Sequence, residues 1–317
     1  MASLLMPQAP SAVVMVRPHH FTPNPQTASD NAFQRCVANL TSLQVAQNVY
    51  EEVSRAAHVL ENHGVTVHLF EDIEKGRTPD SVFPNNWFST HAGGHVALYP
   101  MYSPNRRLER RADVIELLKS HYRVQDVIDY SGLEPDGLYL EGTGAMVLDH
   151  LDRVAYTVRS NRANPIALER FATHFNYEPM AFEAVDDRGD AVYHTNVLMC
   201  IATEFVMVGF AMIRDPERRE EIRQRLRRTG RSIVELTNEQ IGEFAGNAIE
   251  LNGSNGRLLA LSSRALASLT APQRAIIEAA VTLVPLDVPT IELAGGSVRC
   301  MLAGVHLASR NPAQSVC

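Results

Sequence analysis

Cysteine is scarce: Cys36, Cys200, Cys300 and Cys317 stand far apart in 317 residues, with no CxxC pair. That spacing argues against a disulfide framework and against a zinc cluster, and it fits a reducing, cytoplasmic setting. Long apolar runs are missing too. Nothing approaches the roughly 20 residues that span a bilayer, so no membrane partner is expected. The opening MASLLMPQAPSAVVMVRPHH lacks a basic leading segment, and Pro7 and Pro10 interrupt the apolar core a secretory signal needs. Nor is there a basic tract. The formal net charge is -7, and the densest basic stretch, RDPERREEIRQRLRR (214–228), interleaves glutamates at helical spacing. It reads as a solvated helix face, so nucleic acid is not expected as a partner. Neither GxGxxG nor a Walker pattern occurs, which leaves nucleotide binding without support. His91 and His95 in STHAGGH have glycines between them and no evident third ligand, so no metal or other cofactor is expected.

What is present is core-forming material in a repeating order. Hydrophobic residues make up 45% of the chain, enough for a sizeable interior. SAVVMVRP reads as a strand. The segment from Asn31 to Gly64 reads as a helix, with apolar residues three to four apart and a terminal glycine, and VTVHLFE follows as a strand. The strand–helix–strand order then recurs.

The recurrence has a period. FPNNWFST, LEGTGAMVL, YHTNVLMCI, AGNAIELNG and GGSVRCMLA each lead into or sit on an apolar strand. Their markers Asn86, Glu141, His194, Asn247 and Cys300 are 55, 53, 53 and 53 residues apart. A fixed period near 50 residues signals a repeat architecture. Five strand-rich units, each with an outer helix, suggest a closed propeller-like ring. In such a ring the five markers converge on one cavity.

That set carries chemistry. IELAGGSVRC reads as a short strand followed by a glycine-rich turn, with Cys300 beside Arg299. A cysteine attacks as thiolate, and its ordinary pKa of about 8.5 falls beside a cation or an imidazole. His194 could shuttle the proton, and Glu141 could hold the imidazole in one tautomer. Asp80 lies six residues before Asn86, with Phe83 between them and Trp87 after. A buried carboxylate there needs a cation or an N–H donor, which a ligand can supply.

In combination and order, PDSVF, LEGTG, SNRAN, YHTN and GGSVRC resemble the motifs of the guanidino-group-modifying enzymes of pentein fold. The likeness runs from about residue 10 to residue 307 and is nearest to the arginine-deiminase-related branch that hydrolyses citrulline. It implies a five-bladed α/β-propeller with pseudo-five-fold repeats, in a single domain over 1–317. It implies Cys300 as nucleophile, His194 as general acid/base and Glu141 as its partner. It also implies Asp80 on the substrate's nitrogens, Arg162 on its carboxylate, and Phe83, Asn86 and Asn196 around it, with no cofactor.

The departures from the family pattern bear on the substrate. Asn86, Asn196 and Gly144 stand where guanidinium-handling relatives carry acids. Carboxylates facing a neutral ureido group would leave its oxygen without a donor, at a cost of about 1–3 kcal/mol. The expected activity is therefore citrulline hydrolysis to ornithine, ammonia and carbon dioxide. The alternatives are an arginine dihydrolase or deiminase, a dimethylarginine hydrolase, then an amidinotransferase, and in another class a binding protein with a dead site. The expected partner is a small amino-acid substrate. Oligomeric state is open, a homo-oligomer included.

Overall fold

The computed structural model describes residues 7–28, 30–35, 40–74 and 77–310. Cys36, Cys317 and residues 36–39, near the start of the helix expected over 31–64, lie outside these residues. Strand β1 (Ala12–Pro18) runs parallel to β2 (Thr66–Asp72), and the helix Ser42–Asn62 crosses between them. A parallel pair needs such a crossover, whereas an antiparallel pair closes through a tight turn.

Four units of three strands follow: β3 (Phe88–His91), β4 (His95–Leu98) and β5 (Asp126–Asp129); β6 (Met146–Asp149), β7 (Val154–Val158) and β8 (Glu178–Phe182); β9 (Met199–Ile201), β10 (Phe205–Val208) and β11 (Ser232–Glu235); β12 (Ile249–Gly253), β13 (Gly256–Ser262) and β14 (Thr282–Leu286). In each, the first two strands are antiparallel and the last two parallel, with helix between the parallel pair. The final strand, β15 (Ala303–Gly304), supplies the antiparallel partner that β1 otherwise lacks, pairing Val13 with Gly304 and Val14 with Ala303. Five three-stranded sheets result. This is the five-bladed α/β-propeller expected from the period.

The inner strands β3, β6, β9, β12 and β15 all contribute to the wall of one axial cavity. Three of them, Phe88–His91, Met146–Asp149 and Met199–Ile201, are buried throughout. The outer helices are one-sided. Ser42–Asn62 buries Val45, Val49, Val53, Ala56, Ala57 and Leu60, an apolar stripe at three- to four-residue spacing.

Three local expectations change. The first helix begins at Ser42, not Asn31. Thr41 caps it in a reciprocal box with Gln44, and the described residues 31–35 form turns. Asn31 is drawn away from helix by donating to Ala294 O at 3.0 Å. Ile291–Ala294 is a 3-10 helix rather than a strand, because Glu52 accepts from the N–H groups of Thr290 and Ile291 at 3.0–3.1 Å and so caps it. Cys300 lies within the helical turn Val298–Met301 and not at the tip of a loose loop.

Candidate active site

Each marker sits just ahead of an inner strand. Asn86 ends the 3-10 turn Pro84–Asn86 before β3. Glu141 precedes the turn Gly142–Ala145 that enters β6, and His194 precedes Thr195–Val197 before β9. Asn247 precedes β12, and Cys300 precedes β15. The five ends meet. Asp80, Phe83, Asn86, Arg162, His194 and Cys300 line one narrow cavity.

The Cys300 thiol is 2% exposed. Its Sγ accepts from Asn196 Nδ2 at 3.2 Å and from Asn247 Nδ2 at 3.3 Å. Asn247 is itself fixed by donating to Asn196 O at 3.1 Å and by accepting from Arg299 N–H at 3.0 Å. The sulfur therefore faces two amide donors. Asn196 Oδ1 is buried without a hydrogen-bond partner, an acceptor left for a donor from outside the protein.

His194 Nε2 lies 2.9 Å from Glu141 Oε2. Burial pushes the His194 imidazole down to about 4, with Glu141 working in the opposite direction. Burial acts to raise Glu141, but Arg162, the His194 hydrogen bond and Arg106 outweigh it and hold the carboxyl well below its ordinary value. An ionised Glu141 beside a neutral imidazole places the ring proton on Nε2 and leaves Nδ1 able to take one. Two glycines allow this packing. Gly142 has φ +46° with Asn85 O 2.5 Å from where a Cβ would stand. At Gly144 a Cβ would stand 2.0 Å from the Asn86 amide and 2.8 Å from His194 Nδ1. An aspartate at 144 has no room here.

Two buried guanidinium groups form the rest of the wall. Arg106 forks onto Glu109 (Nη2–Oε2 2.9 Å) and lies 3.7 Å from Asp80 and 3.6 Å from Glu141. With its oxygen turned toward Arg106, Asn86 accepts from Nη1 and Nη2 at 3.0 and 3.1 Å. Burial raises the Asp80 carboxyl despite Arg106 and the 2.8 Å bond from Asn24 Nδ2. Arg162 forks onto Asp30, lies 3.6 Å from Glu141 and stacks over Tyr193 at 4.9 Å.

All eight residues read from the sequence thus fall in one region, six of them on the cavity wall and Glu141 and Asn196 directly behind it. Arg106, Asp30 and Asn24 were not anticipated. Within SPNRRLERR, Glu109 stands three residues from Arg106, but only the fold brings Asp80 and Glu141 to it. Asn247 was visible as a fourth marker, without a role.

A family model described as N,N dimethylarginine dimethylhydrolase, eukaryotic, matches residues 17–307. The curated proteins give no match. Among solved structures, the chain is similar to the N-terminal domain of ArgZ, an arginine dihydrolase from the ornithine-ammonia cycle in cyanobacteria. The TM-score is 0.70 at 18% identity, over 93% of this chain and 97% of that one. It is also similar to unliganded AgrE (TM-score 0.71, 18% identity, 95% of this chain and 40% of that one). A dimethylarginine dimethylaminohydrolase, solved as an adduct with 4-chloro-2-hydroxymethylpyridine, gives a TM-score of 0.61 at 14% identity, over 92% and 98%. At such identities the structural likeness carries the fold alone.

Proposed function

Because the chain belongs to the N,N dimethylarginine dimethylhydrolase family, and with it to the pentein cysteine-dependent hydrolases of guanidino C–N bonds, we propose that it hydrolyses the guanidino group of arginine or an arginine derivative. One observation carries this reading. A thiol, a carboxylate-held imidazole and a buried arginine fit for a carboxylate share one cavity.

Cys300 gives its thiol proton to His194 and its Sγ attacks the guanidino carbon, and the C–N bond to the departing nitrogen breaks as that nitrogen takes the same proton back from His194. Water, losing its proton to His194, then attacks the sulfur-bound carbon and frees the thiol. One round on arginine gives citrulline and ammonia. A second round on the ureido carbon gives ornithine, ammonia and carbon dioxide. Asn196 and Asn247 steady the thiolate each time it leaves. Asp80 faces the substrate's nitrogens, and Phe83 packs beside it. Arg162 receives the α-carboxylate in place of Asp30. The cavity leaves only about 10 Å³ for the centre of a water-sized sphere, the room of about one water. An amino acid therefore enters only when the cavity widens. The chain works as one domain, since β15, directly after Cys300, completes the sheet of β1.

A second reading, citrulline as the entering substrate, has its own support. Asn196 and Asn247 face the sulfur, and Asn86 lines the same cavity. The carboxylates of Asp30, Asp80, Glu109 and Glu141 already face Arg106 or Arg162. A neutral ureido group suits amides better than a cation does.

Release of citrulline, ornithine, ammonia or a methylamine from arginine, N-methylated arginines and citrulline, and of ammonia from agmatine, tests both. The proposal expects turnover of arginine or a methylated arginine, with agmatine, which has no carboxylate, poorer by at least tenfold. Turnover of citrulline alone moves the second reading into its place. No turnover of any of them overturns both.

A further inference from the structure

Beyond the thiol, the inner strands enclose a second cavity, walled by Phe88–Thr90, Val147–Leu148, Met199–Ile201, Ala248–Glu250 and Ala303–Gly304. It leaves about 50 Å³ for the centre of a water-sized sphere, several times the room of one water. Arg299 points into it. The backbone of Arg299 serves the catalytic side, but among the described residues its guanidinium makes a single hydrogen bond, from Nη1 to Leu302 O at 2.9 Å.

A guanidinium in the interior normally meets a carboxylate. The fully buried arginines do so: Arg106 with Glu109, Arg162 with Asp30 and Arg231 with Asp149; Arg299 is part-buried and faces the cavity. Among the described residues, Arg299 has no carboxylate within 4.0 Å. The one carboxylate on the wall, Glu250, is taken by Thr203 N–H at 2.7 Å, Thr203 Oγ1 at 2.6 Å and Arg257 at 3.4 Å. His150 and His306 also line the cavity, with their rings 4.2 Å apart. Burial, then Arg299, pushes His306 down to about 3. The cavity thus holds an unneutralised cation with two imidazoles under its field.

We propose that this axial cavity is a binding site for a small inorganic anion, of halide or bicarbonate size, held by the free N–H groups of Arg299. An anion there supplies the missing counter-charge and accepts the hydrogen bonds that Leu302 O leaves unused. The cavity lies on the far side of Cys300 from the substrate cavity, and the proposal stands whichever substrate the enzyme takes.

Crystals grown in sodium bromide test it directly. The expected result is an anomalous peak at hydrogen-bond distance from the Arg299 guanidinium in the wild-type protein. In solution, chloride, bromide and bicarbonate should each raise the unfolding temperature saturably, above sodium gluconate of equal ionic strength. At a hundred times its dissociation constant the anion should disfavour unfolding about a hundredfold. Arg299→Met should abolish both the peak and the anion-specific shift. A wild-type map with water alone at Arg299 overturns the proposal, and so does a shift that gluconate reproduces or that Arg299→Met retains. If Arg299→Met does not fold, the wild-type map decides.

Discussion

Asn247 joins three parts of the site through one side chain, touching Asn196 O, Cys300 Sγ and the Arg299 N–H. Asn247→Ala removes a donor to the sulfur and leaves the Arg299 N–H only its longer bond to Asn247 O, at 3.4 Å. Hydrogen bonds to charged partners contribute about 1.5–3 kcal/mol, so kcat should fall roughly 10- to 100-fold, with KM changed little. A KM effect with kcat intact would mean that Asn247 serves binding instead. Gly144 makes a second residue-scale case. Gly144→Ala puts a methyl against both the Asn86 amide and His194 Nδ1, so kcat/KM should drop at least tenfold while thermal stability changes far less. Equal losses of both would mark Gly144 as structural.

The pH profile follows from His194. Its imidazole must be neutral to take a proton, and burial pushes its pKa from the ordinary 6.5 to about 4. A lowered value keeps the base form populated as pH falls, so the acid limb of kcat/KM attributable to His194 should lie near pH 4. A limb at about 6.5 would show that the imidazole is not desolvated as described.

At the scale of elements, the helix Ser42–Asn62 does more than cover its sheet. Glu52, 2% exposed, reaches across to cap the 3-10 helix Ile291–Ala294, and Ser297 then ties back to Glu292 at 2.7 Å. The nucleophile's turn thus hangs from an outer helix far away in sequence. Glu52→Ala leaves buried N–H groups unpaired, at a cost of about 1–3 kcal/mol, and should lower kcat as well. Urea midpoints and steady-state kinetics on the same preparation check this. A stability loss with kcat unchanged would confine Glu52 to a folding role.

The same contact shows what a sequence reading misses. ELA in IELAGG is apolar enough for a strand, and only the buried carboxylate from residue 52 makes it helical. Asn31–Arg35 looks helical by period, yet Asn31 is held by Ala294 O. Strand entries were legible because apolar runs after polar turns are local. Contacts between residues hundreds of positions apart are not.

At the scale of the whole molecule, the 53-residue period was legible because each unit must bury its own inner strand at the axis. That placed Cys300, His194 and Glu141 together before any coordinates. The period does not show which charges neutralise each other, so Arg106, with carboxylate partners from two other segments besides its own, stayed hidden. Blade-to-blade contacts were equally hidden. Arg231, just ahead of β11, forks onto Asp149 at the end of β6, at 2.6 and 2.9 Å and out of solvent. Breaking a buried pair by removing one partner costs about 3–5 kcal/mol. Arg231→Met should therefore lower the unfolding midpoint sharply and leave KM of the folded enzyme unchanged. A neutral effect would mean that the blades hold through packing alone.

The central claim is that Cys300 becomes covalently attached to the carbon of an arginine-derived side chain. Acid-quenched turnover, read by intact mass and peptide mapping, tests it most directly. The account predicts a substrate-derived adduct on the peptide containing Cys300, formed and lost during turnover, and absent with turnover itself in Cys300→Ser. Ornithine or citrulline forming with no adduct on Cys300, or Cys300→Ser working at near the wild-type rate, would contradict it.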